Sequence, residues 1–312
     1  MFKYISRNTL FGVASRYVYH TLKNRLVPDK VLLENRFKRN HGHKPNLKDP
    51  KTLNEKIVWL KLYDRTPLHT QCADKFAVRE YVSNKIGEHY LVPLYYHTLD
   101  PKDIGPEKLP DTPCIIKANH DSSGGVFVYD KAAINWGEVQ KGFEKRLKNN
   151  YYWNSQEWQY KNIKPRIIVE KLLQDKNGNI PFDYKLHCFN GKVRMIQVDM
   201  GRGTNHHHRN WLNPNWEREP YKWSSPKGNG IYTDPSDEDP EKPKSLAQMI
   251  RLAEILAAPF CYVRVDWYDV DGKLFFGELT FHHDGGMQAI LPKIWDERLG
   301  SELKLETTKT GI

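Results

Sequence analysis

The pattern of apolar and polar residues divides the chain into a helical first part and a mixed α/β remainder. Residues 1–65 are predicted as helices, and Thr52-Leu53-Asn54-Glu55 has the capping-box spacing. In that motif the threonine and glutamate side chains bond the backbone of the first turn. A further helix is predicted to begin at Asp74 and to end at Gly87, because aspartate caps helix starts and glycine favours helix ends.

From about residue 91 the pattern changes to short β-rich runs. Strands are predicted at 91–96, 114–118, 126–129 and 166–170, with a helix at 136–147. Two hairpins follow: Asn190-Gly191 joins 184–189 to 192–199, and Asp271-Gly272 joins 261–268 to 274–280. The polar residues 201–243 are predicted as a long loop, which a helix at 245–257 follows. This order predicts an α+β layered fold and not a regular doubly wound sheet.

A lysine and a glycine loop stand between two of the predicted strands. Lys117 ends an apolar strand, and Asn119-His120-Asp121-Ser122-Ser123-Gly124-Gly125 leads to the next strand. Glycines let a backbone approach phosphates closely, and loop amides can bind anionic oxygens. Because the loop joins two strands, it is neither a Walker loop nor a Rossmann turn, which both open a helix. The pattern indicates a phosphate site, with an ordinary hairpin and a surface lysine as the alternative.

The last hairpin carries two carboxylates, Asp266 and Glu278. Antiparallel pairing can place them opposite each other on one face, where they repel unless a cation lies between them. Mg²⁺ prefers hard oxygen ligands together with phosphate oxygens. The apolar neighbours Val265 and Trp267 argue against two solvated strand carboxylates, so the hairpin predicts a metal site.

The strand at 166–170 ends in Glu170-Lys171-Leu172-Leu173 and is followed by a linker at 174–179. Such a strand end can act as a hinge between lobes and offer backbone groups to an adenine ring. Taken alone, a plain edge strand is the simpler interpretation.

Together these features resemble the TupA-like ATP-grasp family, which is named for teichuronopeptide biosynthesis. The resemblance covers most of residues 50–300. It rests on the order of Lys51-Thr52-Leu53-Asn54-Glu55-Lys56, Ala73-Asp74-Lys75-Phe76, the Lys117 strand with its glycine loop, Asp183-Tyr184-Lys185, and the Asp266/Glu278 hairpin with Phe281-His282-His283-Asp284-Gly285-Gly286. It implies an ATP-grasp fold in which two α+β subdomains grip the nucleotide. The expected divisions are a helical segment at 1–65, a subdomain with the phosphate loop at 66–171 and a subdomain with the metal site at 172–312.

The resemblance also implies roles for individual residues. Lys75, on the helix before the first sheet, and Lys117 are similar to the two nucleotide-binding lysines, with Ser122, Ser123, Gly124 and Gly125 as the phosphate loop. Glu170, Lys171, Leu172 and Leu173 resemble the adenine hinge, and Asp183 the residue that holds the ribose hydroxyls. Arg264 resembles the arginine that stabilises the transferring phosphoryl group. Asp266 and Glu278 resemble the magnesium ligands, with Thr280 where many relatives have an asparagine, a change that weakens a second metal site.

The implied activity is ATP-dependent ligation of a carboxylate to an amine through an acyl phosphate, with ATP and Mg²⁺ as cofactors. The family's name suggests a hexuronic acid of a bacterial surface polysaccharide and an amino acid or amino compound as substrates. Candidate substrate contacts are Lys185, His187, Arg194, Arg202, His283 and the stretch His206-His207-His208-Arg209. Trp153, Trp158, Trp211, Trp216 and Trp223 are candidates for stacking on sugar rings, although tryptophan is more often core packing.

Composition and charge fit this interpretation without selecting it. A hydrophobic content of 39% and a charged content of 28% exclude a disordered chain. The net charge of +10 favours an anionic partner. Four cysteines without CxxC spacing exclude a metal clip and a dense disulfide framework, which favours reduced thiols in the cytoplasm. The basic residues 1–25 predict an ordinary first helix, with a helix lying on the inner membrane face as the alternative.

Three other functions are compatible with the sequence. A glycosyltransferase would bind a nucleotide sugar, often through a DxD motif, which Asp266-Trp267-Tyr268-Asp269 is not. A sugar kinase of the same fold would leave a stable phosphate ester. A nucleic-acid-binding module would use the interleaved basic and aromatic residues, but paired carboxylates would repel its phosphates. The ligase is therefore preferred, and no nucleic-acid partner is expected.

Overall fold

The computed structural model describes residues 23–122, 124–201 and 207–306. The helices are α1 Asp29–His41, α2 Leu53–Tyr63, α3 Pro67–Ala73, α4 Val78–Ile86, α5 Trp136–Lys148, α6 Tyr152–Ser155, α7 Leu246–Ala257 and α8 Ile294–Glu302. The strands are β1 Leu94–Thr98, β2 Cys114–Ala118, β3 Val126–Val128, β4 Ile167–Lys171, β5 Asp183–Phe189, β6 Lys192–Met200, β7 His208–Leu212, β8 Lys222–Trp223, β9 Pro226–Gly228, β10 Ile231–Tyr232, β11 Tyr262–Val270, β12 Lys273–Thr280 and β13 Ile290–Leu291.

Two antiparallel sheets form the framework. The smaller sheet has the strand order β1-β4-β2-β3, and the larger has the order β12-β11-β5-β6-β7. The chain passes from β4 of the small sheet directly to β5 of the large one, so residues 172–182 connect the two. Because the sheets are antiparallel and the helices lie outside them, the α+β prediction is confirmed.

The two faces of the large sheet have different chemistry. One face is apolar: Leu186, Val265 and Trp267 are completely buried there in a cluster that also includes residues of α4 and α7. Burying each such side chain contributes about 1.5–3 kcal/mol. On the opposite face, alternate residues of the same strands are charged, and Lys185 is paired in register with Asp266. Because side chains alternate along a β-strand, one face of this sheet packs into the core and the other carries the charged residues.

The predicted hairpin turns are confirmed. Asn190 and Gly191 adopt φ angles of 48° and 79°, and Asp271 and Gly272 adopt 51° and 89°. These left-handed conformations are the ones that asparagine, aspartate and glycine tolerate best.

Two local predictions are wrong. Residues 201–243 are not one long loop, since β7 is a strand of the large sheet and β8–β10 lie in the same stretch. The β7 sequence conceals a strand because Arg209 and Asn210 are buried by pairing with acidic and backbone groups instead of apolar ones. Helix α4 begins at Val78, and Asp74 instead accepts a hydrogen bond from the backbone of Phe76 in the preceding turn.

The C-terminal helix is packed against the start of α2. The capping box at Thr52 and Glu55 is confirmed, and Asp296 of α8 accepts hydrogen bonds from the backbone and side-chain amides of Asn54 at 3.0 and 2.8 Å. Gly300 lies so close that a Cβ there would be 2.1 Å from the carbonyl oxygen of Lys51. A glycine is therefore required at position 300 for this helix to dock.

Gly300→Ala is expected to destabilise the protein by about 2 kcal/mol or more, because overpacking forces the backbone apart. Gly142→Ala is the matched control, since Gly142 also lies inside a helix but has open space around it. That substitution is expected to stabilise by about 0.5–1 kcal/mol through helix propensity. Urea unfolding of both variants checks the pair, and equal effects would contradict the close docking of α8.

Within the described residues, the helices are too short or too polar to span a lipid bilayer. Residues 1–22, which make up most of the predicted first helix, lie outside the part of the chain that the structure describes.

Candidate active site

The glycine loop joins β2 to β3 at one end of the small sheet. Gly125 folds back so closely on β2 that a Cβ would lie 2.6 Å from the side chain of Ile115 and 2.9 Å from the carbonyl oxygen of Ile116. Gly124, by contrast, has open space around it. Ser122 is exposed, and Ser123 lies outside the described residues. The loop is thus pinned at Gly125 and accessible at Ser122 and Gly124.

Three basic and acidic groups hold the base of the loop. Asp121 accepts two hydrogen bonds of 3.0 Å from the guanidinium of Arg146 on α5, and the Lys75 ammonium donates to the carbonyl oxygen of Asp121. Lys75 lies in the turn before α4 and not on the helix as predicted. Burial lowers the pKa of Lys75, and Glu278 and Asp121 oppose that shift. Lys75 is therefore within electrostatic range of both the loop and the last hairpin.

Lys117 faces a carboxylate that the sequence analysis assigned differently. Its ammonium donates to Oε2 of Glu170 at 2.9 Å, and Arg79 donates to Oε1 of the same carboxylate at 3.2 Å. Glu170 is buried on β4, the neighbour of β2. The Glu170 carboxylate thus orients Lys117, a role that the hinge prediction missed. β4 is also an internal strand and not an edge strand.

Arg264 is the centre of the charged face of the large sheet. Its guanidinium donates two hydrogen bonds of 2.7 Å to Asp266 and one of 2.8 Å to Oε1 of Glu278. A further nitrogen lies 3.0 Å from Nδ1 of His283. Bidentate pairing of this kind fixes the guanidinium in one orientation. The described side chains therefore place a fixed cation between the two predicted metal ligands.

The pKa shifts in this cluster follow from burial and opposite charge. Burial raises the pKa of Asp266 to about 6, although Arg264 and Lys185 oppose the shift. Burial would also raise the pKa of Glu278, but Arg264 and Lys75 lower it to about 2. Burial and Arg264 hold the pKa of His283 well below its usual value. Glu278 is therefore ionised and His283 neutral near pH 7.

The prediction that Asp266 and Glu278 can lie opposite each other on one face fits the register, since Val265 is paired with Leu279. The register shifts before Trp267, so that both Gly277 and Glu278 lie across from Asp266. Gly277 closely approaches the backbone of Asp266, since a Cβ there would lie 3.1 Å from its carbonyl oxygen. Arg264 bridges Asp266 and Glu278.

A cavity of about 400 Å³ lies beside this cluster. Ser122 of the glycine loop, Arg264, Glu278 and Thr280 line it together. The remaining wall comes from other parts of the chain, namely Arg36, Lys61, Tyr151, Asn154, Ser155, Glu157, Tyr160, His282, Asp284, Gly285 and Met287. The loop of the small sheet and the hairpin of the large sheet thus meet at one cleft.

The sequence model of the TupA-like ATPgrasp family matches residues 55–304. The chain belongs to this family. The predictions of the family and of the ATP-grasp fold are confirmed. No curated protein matches the chain.

Solved structures similar to this ATP-grasp chain are distant in sequence. A Bacillus anthracis D-alanine–D-alanine ligase complexed with ATP is 17% identical over 68% of this chain and 54% of its own, with a TM-score of 0.39. A Bacillus licheniformis L-amino acid ligase is 13% identical over 82% and 57%, with a TM-score of 0.46. The ATP-grasp ligase PsnB, complexed with minimal precursor, Mg and ADP, is 12% identical over 81% and 67%, with a TM-score of 0.38. This chain therefore spans little more than half the length of the two Bacillus ligases.

The predicted adenine hinge of this ATP-grasp chain leads into a small apolar cluster between the sheets. Leu173 is buried with Val92 and Phe275, and Tyr268 packs against them. The backbone N–H groups of the hinge residues Lys171 and Leu172 donate to the carbonyl oxygens of Pro93 and Pro113. The hinge prediction stays a prediction, but its location next to β12 fits a flat apolar ring.

Asp183 and Lys185 belong to a buried ionic network on β5 and its neighbours. The Lys185 ammonium contacts Asp183, lies 3.1 Å from Asp266 and lies 3.9 Å from Asp199. Asp199 also pairs with Arg209 at 3.0 Å. Lys185 is close enough to Asp266 to hold its carboxylate in place. Substrate contact by Lys185 and ribose contact by Asp183 stay predictions.

Among the other predicted substrate contacts, the rings of His187 and His283 pack against each other, with centroids 4.8 Å apart. His187 is completely buried, with Nδ1 2.8 Å from the Tyr262 hydroxyl. His283 is also buried and contacts Arg264, so it can hold the guanidinium in place. Arg194 pairs with Glu219 and Glu302. Arg202 and His206 lie outside the described residues.

For two of the tryptophans, core packing is confirmed instead of sugar stacking. Trp211 and Trp223 are buried and stacked on each other, with ring centroids 5.4 Å apart. Their faces are therefore core packing and are closed to a sugar. Trp153, Trp158 and Trp216 remain half-buried.

The predicted Mg²⁺ ligands fit the ion only in part. Glu278 keeps 42% of its side chain exposed, and the Thr280 hydroxyl donates to Oε1 of that carboxylate at 3.0 Å. Both oxygens of Asp266 already accept hydrogen bonds from cations. The described residues contain no cluster of three or more His, Cys, Asp and Glu side chains that could hold a metal. A site with few protein ligands suits Mg²⁺, which also takes phosphate oxygens and water.

One cavity residue that the sequence analysis missed is Lys61. It lies on α2 and is only 1% exposed. Its ammonium forms no hydrogen bond, and no ion pair within 4.0 Å, with any described residue. Burial lowers the pKa of Lys61 to about 8, with Glu157 and Asp29 raising it and Arg36 lowering it. No local motif marks such a lysine, because its burial arises from the docking of α2 against the 283–286 turn.

Lys61→Met is expected to stabilise the free protein at pH 7 by about 1–3 kcal/mol, because it removes a buried charge that lacks a close partner. The folded pKa of about 8 lies below the ordinary 10.5, so the penalty is complete below pH 8 and is relieved as the pH rises towards 10.5. Urea unfolding at pH 7 and pH 9.5 checks both the sign and the pH trend. A variant less stable than the wild type at pH 7 would contradict this account.

Proposed function

We propose that this ATP-grasp protein is an ATP-dependent carboxylate–amine ligase that forms an amide through an acyl phosphate. One observation carries the proposal: the phosphate-loop residue Ser122 and the charged residues Arg264 and Glu278 line the same cavity. Family membership supports ATP as the phosphoryl donor. The cavity supports a second substrate next to the terminal phosphates.

The nucleotide is proposed to lie between the two sheets. Its base would pack against Leu173 and Phe275, whose apolar cluster follows the hinge. Its phosphates would run past Lys117 and the amides of the glycine loop towards Lys75. Lysine ammonium groups and loop amides bind anionic oxygens without being consumed, so their contribution is positioning and charge neutralisation.

The first chemical step would break the bond between the γ-phosphorus and the bridging oxygen of ATP. A carboxylate oxygen forms a new bond to that phosphorus, and ADP leaves with the electron pair. An amine then attacks the acyl carbon, the carbon–nitrogen bond forms, and inorganic phosphate leaves while the nitrogen loses a proton to solvent. Arg264 is suited to stabilise the transferring group, because its guanidinium is held rigidly at the cavity wall.

Glu278, with the Thr280 hydroxyl beside it, is the residue best placed to hold Mg²⁺. Bound with ATP, Mg²⁺ would neutralise charge on the phosphate oxygens. His283 and Lys185 would keep Arg264 and Asp266 in place.

The carboxylate is proposed to belong to a hexuronic acid of a bacterial surface polysaccharide, and the amine to an amino acid or amino sugar. The net charge of +10 supports an anionic acceptor. Association with the inner membrane face is part of this proposal and would follow from such a substrate.

The proposal is tested by incubating the protein with ATP, Mg²⁺, glucuronate- or galacturonate-containing acceptors labelled with ¹⁸O in the carboxylate, and a panel of amino acids. An acyl phosphate moves one ¹⁸O atom into the released phosphate, and mass spectrometry of the acceptor shows the added amino acid. Phosphate release should require both acceptor and amine.

Other products would identify the competing functions. A stable phosphate ester on the acceptor would favour a sugar kinase. Binding of a nucleotide sugar in place of ADP would favour a glycosyltransferase. Unlabelled phosphate in a complete reaction would contradict the acyl phosphate.

A further inference from the structure

The cavity next to Glu278 is lined by two cations that have no carboxylate close to them. Arg36 on α1 donates to the backbone oxygens of Ser155 and Asn154 and to the side-chain oxygen of Gln156. All three acceptors are neutral. Arg264, the third cation of the wall, is paired with Asp266 and Glu278. Arg36 and Lys61 are therefore the cavity cations that have no carboxylate within 4.0 Å among the described residues.

The acids of the cavity do not neutralise these two cations. Asp284 lies 3.4 Å from Arg209. Glu157 accepts a hydrogen bond from Gln159 at 3.2 Å and lies 3.6 Å from His282. The charge of Glu157 acts on both Arg36 and Lys61, but it forms no ion pair within 4.0 Å with either.

The position of Lys61 is built into the fold. Gly285, with a φ angle of 63°, lies so near that a Cβ there would be 3.1 Å from the Lys61 ammonium nitrogen. The absence of a side chain at 285 gives the ammonium room beside the turn that carries His282 and His283. A buried ammonium without a hydrogen-bond acceptor costs free energy, and an anionic ligand in the cavity would offset that cost.

We infer that Lys61 and Arg36 bind a carboxylate group of a substrate in this cavity. The inference rests on the proposed ligase function and deepens it, because it places the acceptor. Helices α1 and α2 then contribute to the active site, and Arg36 lies outside residues 55–304 that the family model matches. A carboxylate suits the pair because one ammonium and one planar guanidinium can together satisfy its two oxygens.

The test measures binding of D-glucuronate, D-galacturonate and the α-carboxylates of amino acids, each beside its uncharged amide, by calorimetry with and without Mg-ADP. Wild-type protein should bind at least one carboxylate at least tenfold more tightly than the matching amide. In Lys61→Met the ratio of carboxylate affinity to amide affinity should fall at least tenfold. Arg36→Gln should lower the same ratio independently. The affinity for ADP should stay within twofold in both variants.

Lys56→Met is the matched control. Lys56 is on the same helix and partly buried, but its ammonium donates to the carbonyl oxygen of Leu303 away from the cavity. The Lys56→Met variant should bind carboxylates as tightly as the wild type does. Circular dichroism and the retained ADP affinity show that each variant is folded.

Three results overturn the inference: carboxylate affinity unchanged in Lys61→Met, no carboxylate of the panel preferred over its amide by the wild type, or an equal loss of ADP affinity in Lys61→Met. The last result would place Lys61 at the phosphates instead. If the wild type does not bind ADP, the proposed function fails, and the titration without nucleotide still decides whether Lys61 binds a carboxylate.

Discussion

Glu278→Gln is expected to lower the rate of acceptor-dependent phosphate release by about 100-fold or more, with little change in fold. The amide has the shape of the carboxylate but lacks the negative charge that interacts with Arg264 and Lys75 in the wild type. It is also a poor ligand for Mg²⁺, so the affinity for Mg-ATP should fall as well. Steady-state kinetics and nucleotide titrations at several Mg²⁺ concentrations measure both effects.

Glu254→Gln is the control for this substitution. Glu254 contacts Lys192 at the surface, 2.7 Å away and far from the cavity. The Glu254→Gln variant should keep a turnover number within twofold of that of the wild type. Full activity of Glu278→Gln at all Mg²⁺ concentrations would mean that this carboxylate has no role in catalysis.

Arg264→Met is expected to abolish turnover and to destabilise the protein by about 3 kcal/mol. The arginine is buried, and its removal leaves Asp266 with Lys185 as its remaining close cation. Breaking a buried ion pair from one side is costly, since the other charge stays without compensation. Urea unfolding and the same kinetic assay measure the two losses.

The double substitution Arg264→Met with Asp266→Leu separates stability from catalysis. Replacing both partners by apolar groups is often neutral for stability, so much of the lost stability should return. Activity should not return, because the cavity would still lack its fixed cation. Recovery of turnover in the double variant would show that Arg264 serves folding alone.

The parts of the fold that the sequence predicted are those encoded locally. Asn190-Gly191 and Asp271-Gly272 fix their hairpins because these residues adopt positive φ at little cost. The capping box at Thr52 likewise acts within one helical turn. In the candidate site, the glycine loop and the acids of the last hairpin were recognisable because they lie on these same local elements.

The parts that the sequence did not predict depend on contacts between distant segments. Strand β7 has no apolar alternation because Arg209 is buried by its pairing with Asp199 on β6. Glu170 orients Lys117 only because β2 and β4 are neighbours in the sheet. Lys61 becomes a cavity residue only when α2 docks against the turn at 283–286. Neither spacing nor composition encodes these pairings.

The most direct test of the account is a crystal structure of the protein with a non-hydrolysable ATP analogue and Mg²⁺. We expect the phosphate chain to contact Lys117, with the γ-phosphate within hydrogen-bonding distance of Arg264 and with Mg²⁺ bound to Glu278. A nucleotide bound elsewhere, or in this cleft with its terminal phosphate directed away from Arg264 and Glu278, would contradict the account.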